Sequence, residues 1–237
     1  MKKGLKIVFE DDWLIVVEKP RGLLTMSTGK GHEVTAYSML YNYVCEGSGH
    51  KRNTPQPRIF IVHRLDRDTS GLLVFAKDEE TKLALQENWE EAVQERRYIA
   101  ILEGQINDDE GYIETWMYEN PRSLMVHCYD LRNDDTPEKP PRKDWKYASS
   151  HCRKLKDLSI DGKAYTEVEF NLETGRRNQI RVHSQHIGHP IAGDKKYGAQ
   201  TNPFGRLALH AQGLAFIHPW TGNIMRFTAK MPKNLYI

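Results

Sequence analysis

The sequence predicts an α+β fold: a mixed, largely antiparallel central sheet with flanking helices. Two observations carry that expectation. Short apolar runs bounded by turn residues follow one another along the chain and outnumber the segments with helical spacing. One of them sets Ala164, Thr166, Val168, Phe170 and Leu172 against Glu167, Glu169 and Asn171, the alternation of a half-buried strand.

The elements follow in order. Residues 5–9 and 14–17 read as two strands, split by the acidic turn Glu10-Asp11-Asp12 and closed by Pro20 and Gly22. Residues 34–45 carry Val34, Tyr37, Met39, Leu40, Tyr43 and Val44 at helical spacing. Residues 47–57 are a turn-rich loop, with Lys51, Arg52 and Arg58 on or beside it. Residues 59–62 and 72–76 are strands around a polar turn. Asp78 is a good N-cap for a helix with Glu79 and Glu80 in its first turn and Leu85, Trp89 and Val93 on its apolar face. Residues 98–102 return as a strand. Residues 130–144 are rich in Asp, Pro, Lys and Arg and read as a surface insertion, not a domain boundary. Residues 178–187 look helical and stop at Gly188, and residues 207–210, 214–217 and 225–228 are short late strands.

With 237 residues the chain has room for one large domain or two fused halves, and a single domain over 1–237 is expected. Its 39% hydrophobic and 28% charged residues are ordinary for a soluble globular protein. No apolar run approaches the roughly 20 residues of a membrane span. The apolar stretch after Met1-Lys2-Lys3-Gly4 is too short for a signal peptide core. Cys45, Cys128 and Cys152 lie far apart and outside any Cys-x-x-Cys pattern, against a disulfide framework and against a zinc ribbon. A monomer in the reducing cytoplasm is the simplest expectation. The net charge is only +2, but cations crowd particular segments: Arg64 and Arg67, Arg96 and Arg97, Arg176, Arg177 and Arg181, Lys195 and Lys196. Brought together, they would make a local basic surface; left apart, they merely solvate the chain.

The most informative stretch is His63-Arg64-Leu65-Asp66-Arg67-Asp68-Thr69-Ser70-Gly71, which runs into Leu72-Leu73-Val74-Phe75-Ala76. It places an acid, Asp66, between two arginines at a strand end. Nearby cations favour the charged carboxylate, and a charged carboxylate so held is a plausible nucleophile. For a short Arg-x-Asp-Arg alone, a surface ion pair is the simpler explanation.

Residues 63–77 match throughout the signature of the RluA-like pseudouridine synthases, and the chain resembles that family over nearly its whole length. Lys19-Pro20-Arg21-Gly22 matches the early Lys-Pro-x-Gly turn, and Arg97-Tyr98-Ile99-Ala100, closing at Gly104, looks like the strand carrying the family tyrosine. Residues 175–183, Gly-Arg-Arg-Asn-Gln-Ile-Arg-Val-His, resemble the arginine motif, and residues 188–194, Gly-His-Pro-Ile-Ala-Gly-Asp, ending at Tyr197-Gly198, continue it. Leu209-His210-Ala211, His218-Pro219 and Phe227-Thr228-Ala229 match the last strands.

The resemblance implies the pseudouridine synthase fold and a reaction that breaks the uridine N1–C1′ bond, turns the base and joins C5 to C1′. It needs neither cofactor nor metal. Asp66 is then the nucleophile, Tyr98 packs on the base and takes part in proton removal from C5, and Arg181 pairs with Asp66. Arg64 helps displace the target base, which has to leave its stack in folded RNA. Further substrate contacts are implied at Arg67, Arg176, Ile180, Lys195 and Lys196. The partner is RNA, ribosomal or transfer, and neither DNA nor a membrane. One position departs from the pattern: the usual His before Gln-Ile-Arg is Asn178. The chain is also expected to start directly on the catalytic domain, without the small N-terminal RNA-binding domain of many relatives.

Three rivals stand beside this reading. His183, His186 and His189, with His210 and His218, suggest a metal hydrolase, although Gly188-His189-Pro190 breaks the helical face. A catalytically silent RNA-binding module would not need Asp66, Tyr98 and Arg181. A glycosidase would also attack an anomeric carbon, but usually with a second carboxylate as acid.

Overall fold

The computed structural model describes residues 5–27, 29, 33–47, 57–87, 89–131 and 136–235. Most of the expected loop at 47–57 (residues 48–56), and residues 132–135 of the polar stretch at 130–144, lie outside the described residues. In chain order the elements are β1 (Lys6–Glu10), β2 (Leu14–Lys19), α1 (Ala36–Gly47), β3 (Phe60–Ile61), β4 (Ser70–Ala76), α2 (Glu79–Glu87) and α3 (Trp89–Ala92). Next come β5 (Val93–Glu103), β6 (Glu110–Glu119), β7 (Val126–Asp130), β8 (Lys146–Ile160) and β9 (Lys163–Leu172). Last are α4 (Gln179–His186), β10 (Leu209–Ile217) and β11 (Ile224–Thr228). The fold is α+β, with strands dominating. Two compact units share it: Met1–Gln94 with Ala211–Lys230, and Glu95–His210 with Met231–Ile237.

In the first unit β1 and β2 form an antiparallel hairpin. The acidic turn does specific work there. Asp11 Oδ1 accepts from the backbone N–H groups of Trp13 and Leu14 at 2.8 and 2.7 Å, closing an Asx turn. β2 lies antiparallel on β4, β3 pairs with the far end of β4, and β11 lies antiparallel on β10. Every residue of β4 is buried, as its unbroken apolar run requires of a strand covered on both faces. Leu14 and Val16 of β2, Leu72, Val74 and Ala76 of β4, and Leu214 and Phe216 of β10 share one cluster with Leu85 of α2. Their spacing by two is that of side chains on one face of a sheet.

Asp78 caps α2 as expected, its carboxylate accepting from the Thr81 N–H and hydroxyl, each at 2.7 Å. The single helix expected to carry Leu85, Trp89 and Val93 does not form. α2 ends at Glu87, Trp89 opens the one-turn α3, and Val93 is already in β5. All three side chains still reach the same apolar cluster, so burial satisfied the spacing without a continuous helix.

The second unit is a meander-rich sheet in the order β5-β9-β8-β6-β7, every pairing antiparallel. β8 and β9 turn on Asp161-Gly162, both at positive φ (50° and 74°), with Ile160 facing Lys163. That is the two-residue primed turn whose twist matches the strands it joins. α4 packs on β7 and β8. Ala100, Leu102, Val168, Phe170, Ile180, Ile191, Leu207 and Leu209 are among the core residues. The two late strands expected at 207–210 and 214–217 are one strand, β10. Gln212 and Gly213 break the apolar run but not the strand, and the pairing with β11 begins at Gly213 opposite Thr228. The described residues 136–144 are exposed throughout.

Candidate active site

The polar turn that carries Asp66 is clamped from below. Lys19, at the end of β2, is fully buried, and its ammonium donates to the carbonyls of Pro20, Leu23 and Arg67 at 3.0, 2.7 and 3.0 Å. A buried cation survives only when its donors are satisfied, and here backbone carbonyls satisfy them. The Thr25 hydroxyl takes the other side, donating to the Leu65 carbonyl at 2.9 Å and accepting from the Leu65 N–H at 3.2 Å. Leu65 and Arg67, the two neighbours of Asp66, are thus both pinned. Thr69 N–H donates to the Asp66 carbonyl at 3.2 Å and closes the turn. Gly71 ends it at φ 127°, where a Cβ would stand 2.1 Å from the Ala211 carbonyl oxygen, so no other residue fits. Upstream, His63 Nε2 accepts from the Val74 N–H at 3.2 Å and its ring lies 5.0 Å from that of Trp89.

Asp66 is half-buried at the top of this turn, and Arg64 and Arg67 are exposed. Sequence reasoning set both arginines around Asp66. Arg67 instead meets Asp68, at 3.3 Å, on the surface.

The second unit holds Tyr98 and Arg181. Tyr98 sits on β5 opposite Phe170 of β9, half-buried against a cluster that includes Ile180. Ile180 is 4% exposed, a core side chain here. The arginine motif is anchored by its polar residues. Gln179 Oε1 accepts from the Thr174 hydroxyl and the Arg176 N–H at 2.8 and 2.9 Å, and its Nε2 donates to the Ser149 carbonyl and Ser150 Oγ, both at 2.9 Å. The His183 ring spans Thr115 Oγ1 and Ser150 Oγ, each at 3.0 Å. Burial there, with a lesser push from His186, drops its pKa to about 3, so the ring is neutral at ordinary pH.

Arg181 grips Asp194 side-on, Nε and Nη2 each donating at 2.7 Å to one carboxylate oxygen. Sequence reasoning missed Asp194 as a partner; it stood only at the end of Gly-His-Pro-Ile-Ala-Gly-Asp. Gly193 makes this contact possible. It sits at φ 81°, where a Cβ would be 2.1 Å from the Arg206 carbonyl oxygen. The loop beyond is tied to β5, since the Glu103 carboxylate accepts from the N–H groups of Gln200 and Thr201 at 3.0 and 2.6 Å. His189 Nδ1 meets the Glu103 carbonyl at 2.8 Å.

The other expected RNA contacts differ in their freedom. Lys195 and Lys196 are exposed, Lys196 reaching the Leu124 carbonyl at 3.2 Å. Arg176 donates through Nε to the Tyr147 carbonyl at 2.9 Å and lines, with Lys146, Arg177 and Glu119, a cavity of about 280 Å³. Arg177 pairs with Glu119, and Arg97 with Glu95 at 2.8 Å and Glu169 at 3.6 Å. The basic surface is therefore thinner than the count of cations suggested. The three histidines of the metal rival take separate partners, His186 meeting Asp130 at 2.7 Å. Among the described residues no group of three His, Cys, Asp or Glu is arranged to hold a metal ion, and no helix is long and apolar enough to cross a membrane. Cys45, Cys128 and Cys152 are free thiols, and burial pushes that of Cys128 up to about 11.

An aspartate on a clamped turn, a tyrosine on a strand and an arginine on a helix follow, in this order along the chain, the motifs of one class of RNA-modifying enzyme. The sequence profile of the RNA pseudouridylate synthase family matches residues 13–186, and the chain belongs to that family. Its relatives include the ribosomal large subunit pseudouridine synthase D of Nitrosomonas europaea, 35% identical across 98% of this chain. The chain spans 63% of that protein's length. The uncharacterized RNA pseudouridine synthase YlyB of Bacillus subtilis is likewise 35% identical, over 98% of this chain and 70% of its own. Among solved structures, human RNA pseudouridylate synthase domain containing 4 superposes with a TM-score of 0.74 at 21% identity, covering 97% of this chain and 90% of that one. That likeness establishes the fold.

Proposed function

We propose that the chain converts uridine to pseudouridine in structured RNA, working over 1–237 as a single catalytic domain with residues 130–144 as a surface insertion. The observation that carries the proposal is the clamped turn: Lys19 and Thr25 hold the backbone on both sides of Asp66 and so fix where its side chain starts. Asp66 is the nucleophile. The N1–C1′ bond breaks, the freed uracil turns, C5 bonds to C1′, the C5 hydrogen leaves to solvent and N1 takes up a proton. Tyr98 packs on the base and assists that proton removal. Arg181 is the cation that directs the reacting carboxylate. Arg64 helps turn the nucleotide out of its stack. Arg67, Arg176, Lys195 and Lys196 meet phosphates and Ile180 backs the base. Ribosomal RNA is favoured over transfer RNA because relatives at 35% identity are named for the large ribosomal subunit. Three scattered free thiols fit a reducing cytoplasm, where the chain acts as a monomer.

The test is tritium release from a 5-tritiated large-subunit ribosomal RNA transcript. Wild-type protein should release tritium and leave pseudouridine at constant RNA mass, and Asp66→Asn should release none while still binding the transcript. Turnover by Asp66→Asn would remove Asp66 as nucleophile, and free uracil in the supernatant would make the chain a glycosidase.

A further inference from the structure

Asn178 precedes α4 with φ 55° and ψ 20°, in the left-handed region. Among residues other than glycine, Asn enters that region most readily, and a helix start is where its side chain usually caps the backbone. Here it makes no capping bond. Its Oδ1 accepts from Arg181 Nη1 at 3.1 Å, and its Nδ2 donates to the Tyr197 hydroxyl at 2.9 Å. Arginine has only donors, so the orientation of the amide is fixed by what it faces. Tyr197 is fully buried, and its ring lies 4.9 Å from Arg181 Cζ. Asp194 holds the Nε–Nη2 edge at 2.7 Å. The guanidinium is therefore gripped at one edge, at Nη1 and on one face, from three directions.

We propose that Asn178 and Asp194 are positioning residues that aim the Arg181 guanidinium. This rests on Arg181 being the catalytic cation. A side chain that occupies a strained backbone position and forgoes the cap is serving something other than local helix stability. It also explains how Asn stands where the family pattern has His. A neutral imidazole presents one acceptor and one donor, and the carboxamide presents the same pair. The acceptor faces Arg181 and the donor faces Tyr197.

Asn178→Gly isolates the side chain, because glycine takes the left-handed backbone without strain. In single turnover at saturating protein on the 5-tritiated large-subunit ribosomal RNA transcript, it should slow the reaction by on the order of 10- to 100-fold, the scale of a misaimed catalytic group. Filter-binding affinity should stay within about twofold, since the carboxamide is spent on Arg181 and Tyr197. Asn178→His should recover the rate to within about threefold near pH 8, where imidazole is neutral. In an Arg181→Met background, Asn178→Gly should slow nothing further, because the group it aims is gone. Wild-type rates for Asn178→Gly beside a slow Arg181→Met would overturn the positioning role and leave Arg181 catalytic. So would equal slowing by Asn178→Gly in both backgrounds. Wild-type turnover by Arg181→Met would instead remove the catalytic reading itself.

Discussion

Arg181→Met should destabilise the fold, and the Arg181–Asp194 pair says by how much. Asp194 is 2% exposed and Arg181 12%, and both carboxylate oxygens accept at 2.7 Å. Methionine keeps much of the stem's volume and none of its donors. The buried carboxylate left behind loses both charge-assisted hydrogen bonds, and removing one partner of a buried pair costs about 3–5 kcal/mol. Replacing both partners removes the stranded group, so adding Asp194→Asn should recover most of that loss. Urea unfolding of Arg181→Met, Asp194→Asn and the double variant beside wild type measures each number. A deficit below about 1 kcal/mol for Arg181→Met, or one that Asp194→Asn leaves unchanged, would refute the buried pair as the source.

Two further outcomes are expected. The neutral, buried His183 has a pKa near 3 in the fold against about 6.5 unfolded, so the unfolded chain binds the extra proton; stability is complete above about pH 6.5 and falls by up to about 1.4 kcal/mol per unit below it. His183→Gln should lose that slope between pH 6.5 and pH 5 whatever its absolute stability, and equal slopes in urea titrations would refute the assignment. Lys19→Met removes the buried donor of three carbonyls, so it should cost about 1–3 kcal/mol and also slow saturated single turnover, because the Asp66 turn loses its anchor at Arg67. Lost stability with unchanged saturated turnover would make Lys19 a structural lysine only.

Much of this fold was legible because its strands announce themselves by composition. β2 and β4 are plain apolar runs, β9 alternates, and Asp78 caps α2 through the carboxylate that made it a candidate. β6, β7 and β8 were not legible. β8 carries Lys, Arg and Asp along fifteen residues with many of them exposed, so it lacks the apolar run that marks a strand. The Asp161-Gly162 pair was a readable signal for its hairpin, since positive φ at two successive residues is what Asp-Gly supplies. In the site, the chemistry-bearing residues could be picked from their motifs, but their supports could not. Thr25 reaches Leu65 across forty residues, Lys19 reaches Arg67 across forty-eight, and Arg181 reaches Asp194 across thirteen, separations with no local pattern.

The arginines of this chain look alike in sequence, and burial separates their roles. Arg67 and Asp68 are 63% and 48% exposed, and Arg177 and Glu119 are also open to solvent. Such surface pairs are worth about 0–1 kcal/mol, so an RNA phosphate can replace the carboxylate at little expense. On the proposed function their acids are placeholders that keep the surface near neutral until a polyanion arrives, consistent with a net charge of only +2. Arg181 cannot exchange in this way, because freeing it would strand Asp194 in a buried site. A cation so fixed is poorly suited to tracking a flexible phosphate backbone and well suited to holding one direction. That difference in depth, more than the match of any motif, is the physical ground for proposing Arg67 as an RNA contact and Arg181 as a group of the reaction.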